Sequence, residues 1–198
     1  MLDLQIGGLT PITTIDYPGE LAAIVFCQGC PWHCSYCHND ELRSRSEESA
    51  ITWKEVKQLL QRRQGLLDAV VFSGGEPTLQ KDLGKAMSEC RELGYKVGLH
   101  TAGIYPQRLN EVLHLVDWIG LDIKALPEDY DDITAVPNSA ENAWRSLDLI
   151  LESKIDVTIR TTWNNQLFSK GRLETLQNQL TQKGITQHSI QALISHNI

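Results

Sequence analysis

The stretch LAAIVFCQGCPWHCSYC, residues 21–37, joins a short apolar run to a loop that carries four of the chain's five cysteines. The run LAAIVF, residues 21–26, has the length and apolar character of a buried strand. Cysteines follow this strand directly, at positions 27, 30, 34 and 37. Ligand-binding residues of parallel α/β sheets gather where strands end. The stretch therefore predicts a strand of such a sheet with a functional loop at its carboxyl end.

Similar strand-like runs alternate with amphipathic helical segments along the rest of the chain. Residues 52–64 and 80–93 place apolar side chains on one helical stripe, and Pro106 suits the first turn of a further helix. Asn138 and Glu141 have the spacing of a capping box. The predicted strands are residues 21–26, 68–73, 96–101, 118–124, 156–162 and 189–195.

This alternation predicts a parallel sheet with right-handed crossovers. A closed (β/α)8 barrel typically needs about 250 residues, whereas this chain has 198. We therefore expect an α/β fold, an open partial (β/α)6 barrel, in which residues 1–198 form a single domain. Residues 1–20 are expected to be an N-terminal extension that packs on the barrel.

Composition narrows the class of protein. Hydrophobic residues make up 41% and charged residues 22%, as in ordinary globular proteins, and the net charge of −7 opposes a nucleic-acid binder. No run of 18 apolar residues predicts a membrane span, and the N-terminus lacks the pattern of a signal peptide. We therefore expect a cytoplasmic protein. In that reducing setting, clustered cysteines bind metal or do chemistry more often than they form disulfides.

The cysteine spacing differs from that of three familiar kinds of site. Structural zinc sites usually pair two Cys-x-x-Cys units about 15–20 residues apart, but here only three residues separate the units. Bacterial ferredoxins use a different order of gaps. A thioredoxin-like pair leaves two thiols unused and has the wrong strand order. The fourth interpretation is that Cys30, Cys34 and Cys37 hold three irons of a [4Fe–4S] cluster and leave the fourth iron open, with Cys27 and Cys90 as buried, inert thiols.

Three segments together resemble a known enzyme family. CPWHCSYC is similar to the cysteine motif of radical S-adenosylmethionine (radical SAM) enzymes. The longer FCQGCPWHCSYCHN, followed by VVFSGGEPTLQ and DWIGLDIKA, resembles the activating proteins of glycyl radical enzymes, in particular those of anaerobic ribonucleoside-triphosphate reductase. The resemblance covers roughly residues 5–165 and implies the radical SAM type of partial barrel.

The resemblance implies two cofactors, a [4Fe–4S] cluster and S-adenosylmethionine (SAM). In this family the open iron is chelated by SAM, and the reduced cluster cleaves SAM to a 5′-deoxyadenosyl radical that abstracts a hydrogen atom. The protein supplies placement and electrostatics.

The resemblance also implies a set of SAM-binding residues. Backbone around Tyr36 and His38 is expected to receive the adenine, and Ser73, Gly74 and Gly75 to let the backbone approach the ligand. Glu76 is expected to accept hydrogen bonds from the SAM ammonium group. Lys124 or Arg160, at the ends of the fourth and fifth strands, is expected to pair with the SAM carboxylate, with an ion pair to Asp122 as the alternative.

One strand end departs from the resembled family. Related activating enzymes often read Asp-Thr-Asn-Gly where this chain has His100, Thr101, Ala102 and Gly103. There the acidic residue and the Asp of the next strand help to hold a monovalent cation. An imidazole is a poor ligand for an alkali ion, so the departure argues against that cation site, although Asp122 is present. His100 is expected to contact SAM or to satisfy a local hydrogen bond.

The resemblance thus predicts a radical SAM oxidoreductase of the activating type. Its partner would be a glycyl radical enzyme, with anaerobic ribonucleotide reductase as the first candidate, and its electron donor a flavodoxin or ferredoxin. Two alternatives are a small-molecule radical SAM enzyme resembling the 7-carboxy-7-deazaguanine synthases and a non-catalytic metal-binding module.

Overall fold

The computed structural model describes residues 2–45 and 51–193. Within these ranges one sheet of seven strands carries six α-helices. The strands are β1 (Ile6–Thr13), β2 (Ala22–Cys27), β3 (Ala69–Gly74), β4 (Lys96–Thr101), β5 (Trp118–Asp122), β6 (Asp156–Trp163) and β7 (His188–Ala192). The helices are α1 (Trp53–Arg62), α2 (Leu83–Glu92), α3 (Pro106–Val112), α4 (Tyr130–Thr134), α5 (Ser139–Ser153) and α6 (Lys170–Gln182).

The strands lie in the order of the chain, from β1 at one edge to β7 at the other. Strands β2 to β7 are parallel to their neighbours, and only β1 runs antiparallel, along β2. The described residues thus form an open sheet, and the predicted α/β class with an open, largely parallel sheet is confirmed.

Two local features differ from the sequence-based expectations. The first twenty residues contribute β1, a strand that the sequence IGGLTPIT does not signal by alternation. The predicted capping box at Asn138 is wrong, because Asn138 has a left-handed backbone (φ 57°) and its side chain makes no capping bond. Asp131 replaces it, accepting hydrogen bonds from the backbone N–H groups of Asn138 at 2.9 Å and Ser139 at 3.1 Å. The last predicted strand, 189–195, extends past residue 193, and its final two residues lie outside the described ranges.

All the helices with buried apolar stripes pack on one face of the sheet. The main core cluster joins Val25, Phe72 and Leu99 of the strands to helical residues such as Leu60 and Leu147. The burial of these apolar side chains is a favourable contribution to folding. No helix in the described part of the chain has both the length and the apolar character needed to cross a bilayer.

Residues 14–17, which we call the crossing segment, lie against the opposite face of the sheet. Its Tyr17 packs on Trp118 of β5, with the two ring centroids 5.1 Å apart, in a second cluster that contains no helical residue. The backbone carbonyl of Asp16 accepts a hydrogen bond from His100 Nε2 at 2.9 Å. The crossing segment therefore reaches from the edge strand β1 to His100 near the end of β4 and to Trp118 at the start of β5.

Candidate functional site

A cavity of about 320 Å³ opens to solvent at the carboxyl ends of the parallel strands. All of the sequence-predicted site residues except Glu76 line it. They meet because the carboxyl ends of parallel strands lie along one rim. The residues lining it from that set are Cys30, Cys34, Tyr36, Cys37, His38, Ser73, Gly74, Gly75, His100, Thr101, Asp122, Lys124 and Arg160.

Several lining residues were missed by the sequence analysis. Arg43 follows the cysteine loop, and Asp16 belongs to the crossing segment. Neither position carries a local signal, because distant contacts bring both to the cavity. Thr162 of β6 and Gln191 of β7 also line it. Thr162 is two residues beyond Arg160, and the two-residue period of a strand was a usable signal for it.

The loop that carries the cysteines is held by backbone hydrogen bonds to two distant segments. Cys30 N–H donates to the carbonyl of Arg43 at 3.0 Å, and His33 N–H donates to the carbonyl of Thr134 at 2.9 Å. Helix α4 and the turn after the loop therefore fix it from opposite sides.

The three thiols of the predicted cluster motif share the cavity, whereas Cys27 does not line it. Cys30, Cys34 and Cys37 are partly exposed and free, and Cys27 and Cys90 are fully buried in the core. Burial raises the pKa of Cys30 to about 12 and also raises the pKa of Cys34. These thiols therefore hold their protons until a bound cation displaces them.

Among residues 2–45 and 51–193, no group of three or more His, Cys, Asp or Glu side chains is arranged to hold a metal ion. A closed four-cysteine zinc site would also need Cys27, which is buried in the core and does not line the cavity. The thiols of an iron–sulfur cluster need not surround one metal ion, because each thiolate ligates a separate iron.

Gly74 and Gly75 bring two backbone segments together. Gly74 has φ +112°, and a Cβ there would lie 2.3 Å from the carbonyl oxygen of Cys27. A Cβ on Gly75 would lie 2.4 Å from the carbonyl oxygen of Gly29. The space that side chains would need is therefore filled by the cysteine loop, which packs directly on the end of β3.

Glu76 lies behind the cavity wall rather than in it, with no exposed surface. Its Oε1 accepts hydrogen bonds from Thr78 Oγ1 at 2.6 Å and Thr101 Oγ1 at 2.7 Å. Its Oε2 accepts one from Ala102 N–H at 3.0 Å. Burial raises the pKa of Glu76, and these bonds oppose that rise. The contacts join the ends of β3 and β4, and an ammonium contact for Glu76 stays a prediction.

Asp122, Lys124 and Arg160 form a charged group in the cavity wall. Arg160 contacts Asp122 Oδ1 from Nε at 2.8 Å and from Nη2 at 2.7 Å. Lys124 Nζ is farther away, 3.6 Å from Asp122 Oδ2. Burial disfavours the charge on Asp122, but Arg160 and Lys124 outweigh that effect and hold its pKa below the usual range. Both Arg160 and Lys124 thus form the ion pair with Asp122 that was the alternative to binding the SAM carboxylate.

Aromatic rings line the cavity beside the cysteines. The Lys124 ammonium lies 5.5 Å from the centre of the Tyr36 ring, within the range of a cation–π contact. Trp32 packs edge-on against the buried Tyr130, whose hydroxyl accepts a hydrogen bond from Lys124 N–H at 3.0 Å. Tyr130 therefore connects the cysteine loop to the end of β5. His38 lines the cavity near these rings.

Comparisons with known proteins agree with this architecture. The chain is 28% identical over 179 residues to a Methanocaldococcus jannaschii protein named as a glycyl-radical enzyme activating enzyme, an alignment covering 86% of this chain and 73% of that protein. It is 31% identical over 158 residues to the pyruvate formate-lyase-activating enzyme of Clostridium pasteurianum, covering 71% of this chain and 66% of that one. The matched part of the chain thus spans 73% and 66% of these two relatives' lengths.

A solved structure and a family model give the fold and the family. The crystal structure of Streptococcus suis SuiB bound to S-adenosylmethionine superposes with a TM-score of 0.66 at 18% identity, over 86% of this chain and 40% of that one. At this identity the likeness is one of fold alone. The model of the radical SAM superfamily matches residues 24–165, well over half of the chain. The chain therefore belongs to the radical SAM superfamily.

Proposed function

We propose that this chain is a radical SAM activase that generates a glycyl radical on a partner enzyme. The observation that carries the proposal is the meeting of Cys30, Cys34 and Cys37 with the polar ends of four strands in one open cavity. Such a cavity suits a cofactor of nucleoside size next to a metal cluster, and its opening leaves a route for a peptide.

Radical SAM enzymes use a [4Fe–4S] cluster and SAM. The donor set fits the cluster, because three free thiols on one loop supply the ligands that iron–sulfur clusters prefer and leave one iron open. When bound, cluster and SAM supply the 5′-deoxyadenosyl radical that removes a hydrogen atom from the substrate. The protein's part is to hold the loop, bind the ligand's polar groups and limit access of water.

Within the charged group, Lys124 is the better candidate for the SAM carboxylate. Three guanidinium nitrogens of Arg160 already face Asp122 or His100. Lys124 has three donors, and its ammonium lies 3.6 Å from Asp122 Oδ2 and over the ring of Tyr36, without the two-contact pairing that Arg160 makes with Asp122. Arg160 then acts mainly by orienting Asp122, while Tyr36 and His38 are proposed to contact the adenine.

The partner is proposed from the relatives. The names of two of them describe activating enzymes, one for glycyl radical enzymes in general and one for pyruvate formate-lyase. We propose anaerobic ribonucleotide reductase as the partner, because the motif segments resemble its activating proteins, and flavodoxin or ferredoxin as the electron donor. A cytoplasmic location follows from the predicted use of reduced cysteines.

The proposal is tested in an anaerobic assay. The chain is reconstituted with iron and sulfide, reduced, and incubated with SAM and either anaerobic ribonucleotide reductase or pyruvate formate-lyase from the same cell. Electron paramagnetic resonance is expected to detect a glycyl radical on the reductase, and chromatography to detect 5′-deoxyadenosine. A Cys34→Ala chain is the matched control and should give neither product.

Two outcomes distinguish the activase function from the more general radical SAM activity. Cleavage of SAM with no glycyl signal on either partner would reject the activase function and favour a small-molecule substrate. Absence of cleavage in a chain with a verified, reduced cluster would reject the radical SAM activity itself.

A further inference from the structure

His100 is a buried imidazole with both ring nitrogens engaged. Its Nδ1 lies 3.0 Å from Nη1 of Arg160 and 3.4 Å from the hydroxyl of Ser73. Its Nε2 lies 2.9 Å from the backbone carbonyl oxygen of Asp16. The side chain lines the cavity, yet only 8% of the residue is exposed.

These contacts determine which nitrogen carries the proton. A guanidinium is always protonated and can only donate, so Nδ1 of His100 accepts from Arg160. A carbonyl oxygen can only accept, so Nε2 carries the hydrogen that is donated to Asp16. The ring is therefore neutral, with its proton on Nε2, and neither nitrogen is left for a ligand in the cavity.

We propose that His100 is a positioning residue that fixes Arg160 in the cavity wall and anchors the crossing segment (residues 14–17) to the end of β4. One side of the guanidinium is held by Asp122 and another by His100. The same ring holds the carbonyl of Asp16, whose residue lines the cavity. Two parts of the wall that are far apart in sequence thus depend on one imidazole.

Residues of β5 and the packing of Trp118 restrict the position of the His100 ring. A Cβ on Gly120 of β5 would lie 2.9 Å from His100 Cδ2 and 3.3 Å from Arg160 Cζ, so the glycine leaves the space that both side chains occupy. The ring packs edge-on against Trp118, with centroids 5.4 Å apart. This packing restricts the rotamers of His100, which is what a positioning role requires.

The charged groups that face His100 favour the neutral form. Burial has the largest effect on the imidazole and Arg160 the next, and both lower its pKa, which falls to about 4. Asp122 and Asp16 oppose the change. A neutral ring is also what the hydrogen-bond geometry demands.

The first test is nuclear magnetic resonance of the full chain labelled with ¹⁵N at histidine. The signal of His100, identified by its absence in His100→Asn, is expected to have the pattern of a neutral ring protonated on Nε2 and to keep it between pH 5 and 8. A proton on Nδ1, or titration within that range, would overturn the proposal. This measurement is independent of catalysis.

The second test is hydrogen exchange measured by mass spectrometry. His100→Ala removes both contacts, so faster exchange is expected in peptides covering residues 14–20 and unchanged exchange in helix α6. His100→Asn keeps an acceptor near Arg160 but is too short to reach Asp16, and it should also release residues 14–20. Unchanged exchange of that segment in both variants would contradict the anchoring role.

The third test, SAM affinity, rests on the proposed function. His100→Ala is expected to weaken SAM binding to the reconstituted chain about tenfold, because a released Arg160 no longer orients Asp122 beside Lys124, and His100→Asn is expected to restore most of the affinity. Equal affinity in wild type and His100→Ala would reject the role in fixing Arg160. If the wild-type chain binds no SAM, the proposed function fails while the resonance and exchange results still decide the role of His100.

Discussion

Glu76 and Thr101 are joined across the ends of two neighbouring strands, with Thr101 Oγ1 donating to Glu76 Oε1 at 2.7 Å. The same carboxylate accepts from Thr78 and from the backbone of Ala102. A fully buried carboxylate with this many internal donors holds the two strand ends in register at the rim of the cavity. Its first role is therefore structural.

Replacing Glu76 by alanine should lower the free energy of unfolding by about 2–4 kcal/mol, because several buried donors lose their acceptor at once. Glu76→Gln keeps the size and one oxygen acceptor, so a smaller loss is expected. Urea unfolding followed by circular dichroism measures both. Glu152→Ala, an exposed position in α5, is the control and should change stability by less than about 0.5 kcal/mol.

The glutamine variant also separates the two roles considered for Glu76. A structural carboxylate predicts that loss of SAM affinity follows loss of stability across the two variants. A near-native stability of Glu76→Gln combined with a large loss of SAM affinity would instead favour direct contact with the SAM ammonium group.

Alanine at Cys30, Cys34 or Cys37 should abolish the cluster, whereas alanine at Cys27 should leave it intact. The first three thiols line the cavity, and Cys27 is buried in the core and does not line it. After anaerobic reconstitution, about four irons and four sulfides per chain are expected for wild type and Cys27→Ala. Normal iron content in Cys34→Ala, or its loss in Cys27→Ala, would contradict the assignment of ligands.

The sequence predicted which residues would lie on one rim wherever local order decides the placement. Ser73, His100, Asp122 and Arg160 each lie at or near the end of an apolar run, and parallel strands that end on one rim bring such residues together. The sequence did not predict the cavity residues that are placed by long-range contacts. Asp16 reaches the cavity through a segment that crosses the sheet, and nothing in its neighbours signals that path.

The orientation of Glu76 shows a second limit. The Gly-Gly-Glu sequence correctly marked the strand end, but the side chain turns away from the cavity because Thr78, Thr101 and Ala102 supply donors behind the wall. Whether a polar side chain faces a ligand or the protein depends on partners from other strands. A motif therefore identifies the position of a residue, but the tertiary structure determines which way its side chain points.

Gly75→Ala should destabilise the chain by about 2 kcal/mol or more, because the new Cβ would lie 2.4 Å from the carbonyl oxygen of Gly29 and would push the cysteine loop off β3. Gly171→Ala is the matched control, since nothing lies within 4 Å of a Cβ there and the residue is in helix α6. That change should be neutral or stabilising by up to about 1 kcal/mol. Thermal unfolding compares the two variants, and equal effects would refute the clash.

Exchange of potassium for sodium or for a bulky organic cation should leave the SAM dissociation constant unchanged within error. Asp122, the acidic residue at this strand end, is already paired with Arg160 and Lys124, and the guanidinium lies between Asp122 and His100. Titrations at constant ionic strength keep general screening equal between the salts. A requirement for one alkali ion would show that a cation enters this wall after all.

Acid should destabilise the wild-type chain through His100. The pKa of a histidine is about 6.5 in an unfolded chain, and burial, followed by the charge of Arg160, lowers it to about 4 in the folded protein. Between these two values the unfolded chain binds a proton that the folded chain does not, so the free energy of unfolding falls as the pH falls from 6.5 to 4. The expected loss of stability at this site is roughly 3 kcal/mol and is nearly complete at pH 4.

Urea unfolding of wild type and His100→Asn at several pH values isolates the contribution of His100, because the other groups titrate equally in both chains.

The informative quantity is the difference in stability between wild type and His100→Asn. It should favour wild type most above pH 6.5 and shrink steadily towards pH 4, since only the wild-type chain has to exclude a proton from this ring. His114→Asn removes an exposed imidazole from the same chain and measures how much of the change comes from losing any histidine. A wild-type advantage that stays constant from pH 7 to pH 4 would mean that His100 has the same pKa in the folded and unfolded chains. The folded ring would then take up a proton near pH 6.5, which the hydrogen bond from Arg160 to its Nδ1 excludes.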